Sequence, residues 1–150
     1  SMSSLENLSH SGIIDEDAER QSINDVIRQL DIKTPSAETL VRNLSGGNAQ
    51  KCVLGRWISA DSEILILDEA TQGIDVGAKT QIYTILDKLA RAGKSIIFIS
   101  SVLSEVIGIS DRIITMKEGK IINTTEGKEA DRAKIIWEAT IGNKEEEAYA

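Results

Sequence analysis

Residues 44–69 place a glycine turn, a helical stretch and an apolar strand ending in two carboxylates one after another. The turn is Leu44-Ser45-Gly46-Gly47-Asn48, and the strand is Ile64-Leu65-Ile66-Leu67-Asp68-Glu69. A short continuous apolar run of this kind reads as a strand buried on both faces of a parallel sheet. Helical patterns flank it on both sides. The expected fold is therefore α/β, a largely parallel sheet flanked by helices.

The remaining pattern extends that alternation. From Asp15, the spacing of Ile23, Val26, Ile27 and Leu30 predicts a helix with one apolar face. Asp15, Glu16 and Asp17 stand at its start, where the helix dipole favours acids. Pro35 marks the exit turn, and a short helical stretch is expected over 36–42. The next helix spans 46–60 with Ser45 as its N-cap. Another covers 78–92 through Ile82, Ile85, Leu86 and Leu89, and Gly93 ends it. A second buried strand is expected over 95–100, then a short helix over 103–108. Strands over 112–116 and 121–125 flank the turn Lys117-Glu118-Gly119-Lys120 as a hairpin. A last helix is expected over 128–141. Residues 1–12 read as a flexible leader, with Ser1-Met2 a cloning scar, and 143–150 as a disordered, Glu-rich tail.

Composition narrows the function. The 150 residues carry 24 acidic and 17 basic side chains, a net charge of -7, and only 3% aromatics. Nucleic-acid binding depends on clustered cations or on stacking platforms, so it is not expected. The single Cys52 forms no intramolecular disulfide and suits a reducing compartment. Cys52, Trp57 and Trp137 read as core residues. No run of 18 apolar residues is present to span a membrane. His10 lies in the leader and reads as solvated.

The two motifs carry complementary chemistry. Two glycines let the backbone approach an anion, and the helix that follows offers unpaired N–H groups and a positive dipole end. Ser45 adds a hydroxyl. Alone, Ser-Gly-Gly is a Ser-capped helix with glycine for tight packing. With Leu44, Asn48, Gln50-Lys51 and the strand behind it, the segment reads as a phosphate turn. Asp68 closes the strand at the carboxyl edge of the sheet, where α/β ligands bind. It can hold Mg²⁺ through bound water. Glu69 can polarise a water attacking a phosphate. Together these read as the second half of an ATP-hydrolysing cassette. No first half is visible: Gly93-Lys94-Ser95 ends like a P-loop, but Lys88 stands where its first glycine belongs and the element order is reversed.

These residues resemble the signature motif, Walker B strand and D-loop (Thr71-Gln72-Gly73-Ile74-Asp75) of ABC-transporter ATPases. The resemblance covers roughly residues 15–142. Gly73 to Lys79, Ile82-Tyr83 and Ser100-Ser101 resemble the second cassette of ribose-, xylose-, galactose- and arabinose-type sugar importers. It implies a partial P-loop-type (RecA-like) cassette, with 13–44 as part of the helical subdomain and 45–142 as the C-terminal half of the ATPase core. Ser45, Gly46, Gly47 and Asn48 would then bind ATP held by the opposite cassette, and Asp75 would link the two sites. Asp68 would serve Mg²⁺ and Glu69 catalysis. Ser101 stands where most of the family has a histidine on the γ-phosphate. A serine donates one hydrogen bond but cannot become cationic, so that site is expected to bind ATP and hydrolyse it poorly. Ala70 replaces the usual proline, which frees φ.

The implied partners are the other ATPase cassette, transmembrane permease subunits and, indirectly, a sugar-binding protein. The implied location is the cytoplasmic face of the cell membrane. The chain alone is expected to be inactive for want of a Walker A motif. Two other readings stay open: a soluble ABC-type ATPase of translation or DNA repair, and a truncated interaction module without catalysis.

Overall fold

The computed structural model describes residues 9–10 and 13–142. The expected tail over 143–150, and the leader apart from Ser9 and His10, lie outside the described residues. The chain divides into two compact units, Ser1–Ile97 and Phe98–Ala150.

In the first unit, β1 (Ser9–His10) pairs antiparallel with β2 (Ile13–Ile14). Helix α1 (Glu16–Gln29) starts where the acids predict. The Asp15 carboxylate accepts from the amides of Asp17 and Ala18 at 3.1 and 3.0 Å. A cap of this kind is worth about 1 kcal/mol. The helix expected over 36–42 does not form. The Thr34 hydroxyl donates to Ser36 O at 2.7 Å, and the Ser36 amide donates to Thr39 Oγ1 at 3.3 Å. These bonds offer the backbone an alternative to a helix, and only a 3-10 turn, Val41–Asn43, follows.

Helix α2 (Gly46–Ser59) packs on α1 through Gly55, where a Cβ would lie 2.5 Å from Val26 Cγ1. Leu30, Ile32 and Leu54 close that contact as buried residues. Strand β3 (Ile64–Asp68) pairs in parallel with β4 (Ser95–Ile99), and α3 (Val76–Arg91) makes the crossover. Ile82, Leu86 and Leu89 are the buried face of α3.

Two expectations fail here. The apolar run of β3 is buried on one face only: Leu65 is 5% exposed, but Ile64 and Ile66 are 60% and 67% exposed. A run of apolar residues records what a strand can bury, while burial depends on layers on both sides. Among the described residues one face is left open. Trp57 is half exposed, with the Arg56 guanidinium 5.5 Å from its ring centroid. Its neighbours Leu54 and Gly55 take the inward positions of α2 instead.

The second unit holds α4 (Leu103–Ile109), the antiparallel hairpin of β5 (Arg112–Lys117) and β6 (Lys120–Glu126), and α5 (Arg132–Thr140). The hairpin turns at Glu118 and Gly119, both with positive φ, 50° and 79°. That is the twist a two-residue hairpin turn needs. A register shift follows Thr115. The last helix begins later than expected. Residues Gly127–Glu129 form a 3-10 turn, and Asp131 captures the Ala133 amide at 2.8 Å to start α5. Ile113 and Ile135 are the buried apolar residues of this unit, and Trp137 is half exposed rather than core. Its position on α5 lies off the inward face taken by Ile135 and Glu138. Among the described residues no helix is long and apolar enough to cross a membrane.

Candidate functional site

The glycine turn sits at the first turn of α2, and its two glycines do different work. Gly46, the first residue of α2, is exposed. Gly47 is buried, and a Cβ there would lie 2.4 Å from Ala78 Cβ. Gly47 thus lets α2 close onto the start of α3. A Cβ on Gly46 would meet Ile74 Cγ2 at 3.4 Å and Gly73 O at 3.9 Å. The glycine turn and the segment around Gly73 and Ile74 are therefore in contact.

Ser45 is the N-cap by backbone position, but its side chain makes no capping bond. Its hydroxyl instead accepts from Asn48 Nδ2 at 2.9 Å, which leaves its own proton for donation outward. Asn48 Oδ1 accepts from the Lys33 amide at 2.9 Å. Asn48 thereby ties the turn to the segment that follows α1.

Behind the turn, Lys51 is 2% exposed and donates to Asp31 O at 2.9 Å. Burial pushes its pKa below the ordinary 10.5, against the pull of Asp31. The sequence reading used Lys51 only as part of the motif.

The carboxylate pair closes β3. Asp68 is exposed and, by alternation, lies on the same open face as Ile64 and Ile66. Glu69 takes a left-handed conformation, φ 48°, and its carbonyl accepts from the Gln72 amide at 3.0 Å. A left-handed glutamate costs about 1–2 kcal/mol, and such strain concentrates at functional sites. Ala70 and Thr71, which follow it, are buried. Asp75 caps α3, its Oδ1 accepting from the Ala78 amide at 2.9 Å. Its second oxygen is not used by that bond.

The anion turn and the carboxylates fit nucleotide and metal chemistry. The exposed helix start at Gly46 suits a phosphate, and Gly47 has no side chain to wedge the turn away from Ala78. Mg²⁺ takes one or two carboxylates together with phosphates and waters, and the exposed Asp68 at the strand end offers that. Neither Asp68, Glu69 nor Asp75 lines the apolar cavity of about 240 Å³ between α1 and α2, whose walls include Ile23, Val26 and Cys52. Burial in that wall raises the Cys52 thiol pKa, so the group stays a neutral thiol.

In the second unit, Ser101 is exposed between β4 and α4. Ser100 Oγ accepts from the Val102 amide at 3.1 Å and donates to Glu105 Oε2 at 3.3 Å. Glu105 was not singled out by the sequence reading, and a glutamate in a short helix gives no sign that it is buried.

Known proteins share this sequence and fold. The ABC transporter family model matches residues 1–72. The ribose import ATP-binding protein of Bacillus subtilis is 46% identical over 138 residues, covering 92% of this chain and 28% of that protein. The arabinose import ATP-binding protein of Shigella flexneri is 46% identical over 124 residues, covering 83% of this chain and 25% of the relative. The chain therefore spans about a quarter of the length of these relatives. The dimeric MJ0796 bacterial ABC transporter cassette shares its fold, with a TM-score of 0.66 at 20% identity over 78% of this chain and 50% of that one.

Proposed function

This chain belongs to the ABC transporter ATPase family, and from that premise we propose that it is part of the second cassette of a ribose-type sugar importer. Its place is the C-terminal half of that cassette, with residues 13–44 in the helical subdomain and 45–142 in the ATPase core. The observation that carries this is the packing of the Gly46-Gly47 turn against the loop at 73–78. Residues 70–74 join Asp68 and Glu69, at the end of β3, to Asp75 at the capped start of α3.

The residues divide the work. The amides at Gly46 and the Ser45 hydroxyl hold the γ-phosphate of ATP bound by the opposite cassette. Asn48 holds Ser45 in place. Asp68 orients a water of the Mg²⁺ shell, and Glu69 holds and polarises the attacking water. Bound Mg²⁺ supplies charge neutralisation on the phosphates. Asp75 caps α3 with one oxygen and presents the other toward the opposite cassette. Ser101 donates a single hydrogen bond to the γ-phosphate of its own cassette, a weaker interaction than a histidine at that position could give. The partners are the other cassette, permease subunits and, through them, a sugar-binding protein, at the cytoplasmic face of the membrane.

The test has two parts. This 150-residue chain should release no phosphate from ATP above a Glu69→Gln control, because it contains no GxxxxGK[ST]. In the reconstituted full-length transporter, Ser101→Ala should lower sugar-stimulated turnover only mildly, whereas the matching change in the other cassette should nearly abolish it. Phosphate release by the chain alone, or equal losses in the two cassettes, would contradict the reading.

A further inference from the structure

The turn between β4 and α4 is held by a chain of three groups. Val102 is the N-cap of α4 and has no side chain to cap with. Its amide donates to Ser100 Oγ at 3.1 Å. That hydroxyl donates in turn to Glu105 Oε2 at 3.3 Å. Glu105 is the third residue of α4, where a capping-box glutamate reaches back toward the N-cap amide. Here the Ser100 hydroxyl lies between them, and Ser101 stands in the chain between Ser100 and Val102.

Capping alone does not require burial. An exposed glutamate satisfies an amide equally well, and burying a carboxylate costs solvation. Glu105 is nevertheless 8% exposed and is the one buried residue of α4. Ser101, by contrast, is exposed on that turn. We propose that Glu105 is a positioning residue, which through Ser100 sets where the side chain at position 101 meets the γ-phosphate. This rests on the reading of Ser101 as the switch position, and deepens it. The relay requires an acceptor at 105 and a hydroxyl at 100; it does not require a negative charge.

The experiment uses the full-length ATPase reconstituted with its permease. Turnover at the Ser101 site is low, so the site is first strengthened by Ser101→His, which should raise turnover. In that background Glu105→Ala should remove the gain, a fall in kcat on the order of tenfold to a hundredfold, as for a small misplacement of a reacting group. The KM for ATP should change far less than kcat, because position 101 supplies one contact to the γ-phosphate and the other nucleotide contacts are untouched. Glu105→Gln should keep the gain, since its amide oxygen still accepts from Ser100. Ser100→Ala should lose as much as Glu105→Ala, and the double variant should lose no more. A merely stabilising Glu105 would move Tm without this pattern. Retention of the gain in Glu105→Ala, failure of Glu105→Gln to rescue, or additive losses would overturn the proposal while leaving the role of position 101 standing. Absence of any gain from Ser101→His would instead overturn the reading of position 101, and this proposal with it.

Discussion

Gly47→Ala is the substitution whose cost follows most directly from the structure. An alanine Cβ at this position would lie 2.4 Å from Ala78 Cβ. Carbon atoms rest about 3.5–4.0 Å apart, so α2 and α3 must separate by roughly 1 Å or more. Neither methyl can rotate away, because each is fixed to its helix backbone. Overpacking of this kind costs about 1–3 kcal/mol, and the helix propensity of alanine returns up to about 1 kcal/mol. The net loss should be about 1–2 kcal/mol, read as a lower urea midpoint with an unchanged slope. Ala78→Gly should restore room, so the double variant should be more stable than the sum of the two single changes by about 1–3 kcal/mol. A neutral or stabilising Gly47→Ala would refute the close contact. Additive single changes would show that Ala78 is not the neighbour that matters.

Three further outcomes are expected. Lys51 has its pKa lowered by burial from 10.5, so below that pH the unfolded chain holds its proton more tightly than the folded one. Stability should therefore rise with pH as 10.5 is approached from below, and Lys51→Met should flatten that slope in urea titrations across pH. Thr115 Oγ1 and Glu138 Oε2 are buried without hydrogen-bond partners; Thr115→Val should raise Tm, with a gain of about 1 kcal/mol from removing an unsatisfied hydroxyl. A fall in Tm would show that the hydroxyl is satisfied after all. Gly127→Ala should destabilise more than Gly47→Ala, because its Cβ would lie 2.0 Å from a backbone atom, Ser110 O, and thermal melts of the two variants decide it.

Much of this architecture was legible because period and punctuation agree. The three- and four-residue spacing of Ile23, Val26, Ile27 and Leu30 located α1, and the acids Asp15, Glu16 and Asp17 marked its start, where Asp15 is the N-cap. The glycine turn and the apolar strand were found together because both motifs are local. What was not legible depends on neighbours distant in sequence. Gly47 reads from the sequence as part of an anion turn, and its packing role shows only once Ala78 is placed against it. The open face of β3 and the half-exposed Trp57 follow from which layers are present, which apolar content does not encode. The burial of Lys51 and Glu105 likewise arises from contacts that a charged residue in a helix does not announce. Between 36 and 42, the hydroxyls of Thr34 and Thr39 outcompeted a helix that spacing alone suggested.

The central claim is that the turn at Ser45-Gly46-Gly47 serves ATP held by a second cassette. Sugar-stimulated ATP hydrolysis by the reconstituted full-length transporter carrying Ser45→Arg tests it most directly. Arginine would put bulk where the phosphate must approach the amides of Gly46, without entering the buried contact at Gly47. Loss of nearly all stimulated turnover is expected, with the fold of this chain intact by its melting temperature. Turnover close to that of the unchanged transporter, with the variant equally well folded, would contradict it.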